Sequence, residues 1–356
     1  ETTTPSSSTS TFLNTEVLRN QIESITIEKT NVVPNDAKYS KDISSKQDGS
    51  VMLWYTDKDN NSLYEISIGS ENGSVEANTN GSGMFAYLDN VSTLDLSGLD
   101  TSNMTSMSNM FYKSTSLKSI DVSGFDTSKV VNMARMFDGC TNLENLDVTN
   151  FNTSKVTDMY WMFNNLKKVT SLDLSNFDTL NVKHMGFMFN GCTSLANLNV
   201  SNFNTSNVIN MTSMFKGCTS LKSLDLSNFD TSNVTRMDSM FLYDGSLTNI
   251  DLSNFNTSKV TNMGDMFEGC GQLTELDLSS FDTSNVKIMY YMFNRDKGLK
   301  TIYVSDKWNI SNVTESAEMF ANCTSLTGTV PFDSTKTDIT MANYTNGYLT
   351  YKKNTN

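Results

Sequence analysis

A single histidine, His184, and three prolines are the rarest features of this 356-residue chain. No apolar run approaches the roughly 18 residues that a membrane-spanning helix needs. One histidine excludes a site built on several imidazole ligands and leaves a nucleophilic triad one possible base. Basic residues are outnumbered, 26 Lys and Arg against 39 Asp and Glu, for a formal net charge of -13. That balance disfavours partners held by phosphate neutralisation, nucleic acid and anionic membranes alike. The five cysteines include no C-x-x-C pair and no metal-ligand spacing. The chain opens at Glu1 without Met or a signal-peptide apolar stretch and reads as a processed or trimmed piece.

What the chain has is repetition. A Met-Phe dipeptide begins at Met84, Met110, Met136, Met162, Met188, Met214, Met240, Met266 and Met292, each 26 residues after the last, and at Met319 after 27. An LDLS-like stretch begins at Leu94, Ile120, Leu146, Leu172, Leu198, Leu224, Ile250, Leu276 and Ile302 in the same phase. A fixed period means stacked units that share no single core, so the usual count of domains from length does not apply.

Within one unit Leu221, Leu224 and Leu226 follow the L-x-x-L-x-L pattern of a leucine-rich-repeat strand. Asp, Thr, Ser and Asn then turn the chain and can cap a helix start. Val234, Met237, Met240 and Phe241 recur at intervals of three or four, predicting a short helix or 3₁₀ turn. The expected fold is therefore α/β, a right-handed leucine-rich-repeat solenoid over residues 89–326. Terminal coils need caps, and the candidates are a β-rich segment at 21–88 and a short strand or hairpin at 327–356. Residues 1–20 begin ETTTPSSSTS and read as a Ser/Thr-rich linker.

The combination SLxxLDLSNFDTSNVTxMxxMFxGC, fullest at residues 220–270, resembles the BspA-type leucine-rich-repeat surface proteins of host-associated bacteria. The likeness runs from about residue 84 to 326, and GSENGSVEAN, GSGMF and the terminal GYLTYK look like that family's flanks. It implies an extracellular adhesin at the bacterial cell surface, anchored outside this stretch, that binds host-cell glycans, extracellular-matrix proteins or other cells. It implies no catalytic residues and carries over no binding residues.

Cys140, Cys192, Cys218, Cys270 and Cys323 share one slot of the repeat. Cys192 and Cys218 lie in adjacent coils, within disulfide reach at a strand spacing of about 4.8 Å. The odd count and the isolation of the other three favour buried thiols. The methionine pairs, such as Met211 and Met214, read as adaptable core filling.

Carboxylates recur in every coil, whereas a glycosidase pair would be a local exception, so no enzymatic function is expected. Asp121, Asp147, Asp173, Asp225, Asp251 and Asp277, with Asp95 and Asn199 in the same slot, form an acidic ribbon on the strand face opposite the leucines. Stacked carboxylates should repel and raise one another's pKa values, and the oxygens suit calcium, although no EF-hand-like loop is present. A second column, Asp100, Asp126, Asn152, Asp178, Asn204, Asp230, Asn256 and Asp282, is explained by turn chemistry.

Binding is best sought where the repeat breaks its own pattern. DMYWMFNNLKKVT replaces small residues by Tyr160 and Trp161 and the Gly-Cys pair by Asn165 and Leu166, followed by Lys167 and Lys168. One coil later come Lys183, His184 and Phe187, the last in the slot of Trp161. His184 fills a slot that Asn132, Asp158, Asn210 and Arg236 hold elsewhere, a polar surface position. Aromatic rings beside cations suit a glycan, with His184 adding charge in acid. Further on stand Tyr290 and Tyr291. The rings could equally plug space in the coil. The expectation is a monomeric glycan- or matrix-binding module without cofactor, and the alternative is a passive spacer that presents another domain.

Overall fold

The computed structural model describes residues 4–354. The chain divides into two compact units, Glu1–Val156 with Met162–Asn176 and Thr157–Trp161 with Phe177–Asn356.

The first unit begins with four strands, β1 (Ile22–Glu28), β2 (Tyr39–Asp42), β3 (Val51–Thr56) and β4 (Tyr64–Ser70), ordered β1-β4-β3-β2. β1 runs parallel to β4, and the other pairings are antiparallel. Ile22, Ile25 and Ile27 of β1 turn inward with Leu53, Ile66 and Ile68. Thr26 bridges to Asp95, which joins this sheet to the first coils. There Thr93–Leu94 pairs in parallel with Ser119–Ile120, 26 residues on.

The residues expected as a linker are ordered against this body. Residues 1–3 lie outside the described residues, but Phe12 and Arg19 are fully buried. Thr11 pairs with Leu18, and the Arg19 guanidinium donates to the carbonyls of Met84 and Ala86 at 3.1 and 2.8 Å. One aromatic ring and one guanidinium hold a stretch whose composition suggested nothing to bury.

The second unit repeats the same coil. Ser223–Leu224 pairs in parallel with Asn249–Ile250, and Glu275–Leu278 with Thr301–Val304. Thr350–Tyr351 adds a last parallel strand to that edge. A second ladder of parallel bridges links Asp158, His184, Asn210, Arg236, Asn262, Ile288 and Glu315 in succession.

The expected α component is absent: among the described residues there is no α-helix, only 3₁₀ turns at Arg19–Gln21 and Ile339–Met341. The cause lies in where alternate N-H groups point. Met211, Ser213, Phe215 and Gly217 donate to Arg236, Asp238, Met240 and Leu242 of the next coil. Met214, Lys216 and Cys218 between them donate three residues back. Half the donors a helix would need for its own bonds therefore join coil to coil. The fold is a repeated stack of short parallel pairings and turns, solenoid-like and leucine-rich.

The alternation requires left-handed backbone at two slots per coil. Arg135, Trp161, Phe187, Ser213, Ser239, Asp265, Tyr291 and Glu318 hold the first, and Gly139, Gly191, Gly217 and Gly269 the second, with Asn165, Tyr243, Arg295 and Asn322 replacing glycine there. The glycine of the Gly-Cys pair thus answers a positive φ.

Inside each unit the Phe of Met-Phe builds a stacked column. Ring centroids are 5.5 Å apart for Phe111 and Phe137 in the first unit, and 5.7 and 5.8 Å apart along Phe189, Phe215 and Phe241 in the second. All five cysteines are buried thiols without disulfides. The Sγ of Cys140, Cys218, Cys270 and Cys323 donates to a Phe carbonyl of the preceding coil at 2.8–3.2 Å.

Candidate binding face

The pattern-breaking aromatics meet in the second unit. Trp161 stacks on Phe187 with centroids 4.6 Å apart and planes 29° apart, and Tyr160 packs edge-on against Phe187 at 5.6 Å. All three rings are half-buried. Trp161 and Phe187 occupy the left-handed slot, with φ of 63° and 58°. Bulky side chains are rare there, and the conformation costs about 1–2 kcal/mol per residue. Ser213 and Ser239 hold the same slot in neighbouring coils.

His184 lies in the bridge ladder between Asp158 and Asn210, one residue past the exposed Lys183. Lys167 and Lys168 belong to the first unit, where both are exposed and Lys168 Nζ stands 3.9 Å from Glu144 Oε1. Three rings, Lys183 and His184 therefore share the second unit, and the other two lysines do not.

The acidic ribbon behaves opposite to expectation. Each carboxylate accepts from the amide two residues on, as Asp121 does from Ser123 at 2.9 Å and Asp225 from Ser227 at 3.0 Å. Hydroxyl and amide bonds from Ser123, Thr149, Ser175 and Ser227 hold Asp121, Asp147, Asp173 and Asp225 below the ordinary aspartate range. At Asp277 burial pushes upward, but hydrogen bonds from Lys352 and Ser279 prevail. Hydrogen bonding outweighs repulsion because each donor sits at bonding distance while the next carboxylate is a coil away. Asp251 makes the same turn with Ser253. Among the described residues no group of three or more His, Cys, Asp or Glu is placed to hold a metal ion.

Two features escaped the sequence reading. Arg236 grips Asp238 with Nε at 2.9 Å and Nη2 at 3.0 Å, and Thr212 Oγ1 lies 3.1 Å from the same carboxylate. Nothing in the sequence marks two residues spaced i, i+2 as a pair. Asp244 and Asp296 stand in the cysteine slot, both buried, and reading that column in register would have found them. Burial pushes both well above the ordinary range, against weaker pulls from the amides of Cys218 and Cys270. Nearer the surface, burial followed by hydrogen bonding with Glu268 raises Asp265 to about 6.

A family model described as "Mycoplasma protein of unknown function, DUF285" matches residues 79–193, 162–249 and 243–356. The chain belongs to the DUF285 family. Successive DUF285 matches overlap, as expected when one repeated pattern is laid on a period of 26 residues. No curated protein matches the chain. Among solved structures, a chain of "Crystal structure of TLR13-ssRNA13 complex" matches 67% of this DUF285 chain at 18% identity and a TM-score of 0.26. This chain spans 43% of that one.

Proposed function

We propose that the chain is a non-enzymatic adhesion module of the BspA type, exposed on a bacterial surface, that binds host-cell glycans or matrix and surface proteins. The supporting observation is the cluster of Tyr160, Trp161 and Phe187. Two large half-exposed rings sit at a left-handed slot where serine serves neighbouring coils. A coil needs no aromatic there, and a stacked pair with an edge-on tyrosine offers a ring surface for the apolar face of a sugar. Lys183 and His184 stand in the same unit and add polar groups beside the rings.

Trp161→Ala should weaken adhesion to host cells or arrayed glycans at least tenfold, about 1.4 kcal/mol, as for a central aromatic anchor. Ser213→Ala, in the same slot, should leave binding unchanged. A folded Trp161→Ala protein with full affinity for a verified ligand would remove the cluster from consideration. The passive-spacer reading draws on the unbroken coil-to-coil hydrogen bonding within each unit. It is favoured if the wild-type chain binds neither cells, matrix proteins nor glycans.

A further inference from the structure

We propose that the second unit carries one continuous trough, walled by Tyr160 and Tyr290, that takes a neutral oligosaccharide lying along the stack of coils; this deepens the glycan reading above and rests on it. The slot two residues before each Met-Phe reads Tyr160, Gly186, Thr212, Asp238, Gly264 and Tyr290 in successive coils. A Cβ on Gly186 would come 2.7 Å from Tyr160 Cε2, and one on Gly264 would come 2.9 Å from Tyr290 Cζ. Neither glycine is at positive φ, so the missing side chains make room for the rings and not for a turn. Tyr160 therefore folds one coil forward and Tyr290 one coil back, toward each other. At about 4.8 Å per coil the two slots are about 24 Å apart and the inclined rings about 14 Å, room for roughly two or three pyranose rings.

The floor is polar and already organised. Thr212 and Asp238 are only 5% and 8% exposed, and Asp238 is fixed by Arg236 from one side and Thr212 from another. The bond to Asp238 is the first cause of the raised Arg236 pKa, so the pair is held as an ion pair on the floor. Tyr290 packs edge-on against Tyr291 at 5.9 Å, matching Tyr160 with Trp161 at 5.8 Å across the span.

Charge selects the ligand class. Asp265 interacts electrostatically with Glu268 and Asp238, offset in part by Lys216, and the two arginines there are engaged, Arg236 with Asp238 and Arg295 with Glu268 at 3.8 Å. An added sulfate or carboxylate would meet these acids. Sugar hydroxyls can donate to carboxylates and accept from guanidinium, while the tyrosines cover the outer apolar faces.

The test is calorimetric titration of the full chain with neutral glucose, galactose and N-acetylglucosamine oligomers, from single sugars to hexamers, and with their sulfated forms. Affinity for a neutral series should rise with length, level off near the trimer and fall on sulfation. Tyr290→Ala should weaken binding about fivefold or more, as should Gly186→Ala and Gly264→Ala, which keep every ring but push one outward. Circular dichroism checks that each variant is folded. If folded Tyr290→Ala and Gly264→Ala bind like wild type while Trp161→Ala does not, the trough is overturned and the adhesion reading stands. A preference for sulfated oligomers, or adhesion to cells by a chain that binds no oligomer, also overturns the trough alone. Loss of neither binding nor adhesion in Trp161→Ala defeats both.

Discussion

Asp244 and Asp296 replace cysteine in the buried slot, and Asp138 is enclosed beside Asn164, which donates to it at 2.6 Å. Burial raises Asp138 to about 6, as it does Asp265, and pushes the first two well above the ordinary range. A carboxyl whose folded pKa exceeds its unfolded value of about 3.9 keeps a proton that the unfolded chain releases. Its contribution to stability is complete below that pH and is lost as pH rises through the folded value. Asp121, Asp147, Asp173, Asp225 and Asp277 have the opposite sign, stabilising above the unfolded pKa and losing that contribution as pH falls through the lowered one. Melting temperature should therefore peak near pH 4–5 and decline as pH rises through about 6, where Asp138 and Asp265 lose their protons, with Asp244 and Asp296 adding to the decline in the same direction. Asp244→Asn with Asp296→Asn should flatten it, measured by differential scanning calorimetry across that range. An unaltered slope in the double variant would show that these carboxyls do not govern it.

At the scale of the coil, the two left-handed slots make a paired prediction. Gly217 has φ of 72°, and an added Cβ would meet nothing closer than 3.7 Å, so Gly217→Ala is a test of backbone conformation alone. It should destabilise by about 1 kcal/mol. Glu318 is exposed at φ of 51°, and Glu318→Gly should be neutral or stabilising despite the general cost of glycine. Urea unfolding of both variants reads the two signs. Stabilisation by Gly217→Ala together with destabilisation by Glu318→Gly would mean that the slots impose no strain. The sequence made the period and the inward residues legible because identical coils must present identical groups to one another. Met237, Met240 and Phe241 fit a helix as well as a chain of turns, and only the acceptors in the next coil decide between them. Tyr160, Trp161 and Phe187 were visible as breaks in the pattern. The pairing of Arg236 with Asp238, and the two glycines under the tyrosines, were not, because each is an ordinary residue until its neighbours in adjoining coils are known. Lys167 and Lys168 followed the aromatics in sequence and fell in the other unit.

Within each unit a coil's apolar face is covered by the next, so an end coil that loses its cover presents an apolar face for association. Phe12 lies 6.5 Å from Phe85 at the start of the first unit's column. In the second unit Tyr348, fully buried, meets Phe320 edge-on at 5.4 Å, and Trp308 Nε1 donates to the Ala342 carbonyl at 3.1 Å. Removing residues 327–356 takes away Tyr348 and Ala342 together and bares Phe320, the hydrophobic end of a ring column. That truncation should associate, which light scattering would detect as a rise in mass with concentration. Deleting residues 199–224 removes one full period inside the array and joins Leu198 to Asp225 in phase. Nearest-neighbour contacts then re-form, and the shortened chain should remain folded and monomeric with a modestly lower melting temperature. Cooperative collapse after the internal deletion, or a soluble monomer after the terminal one, would mean that stability is held by long-range contacts and not by the stack.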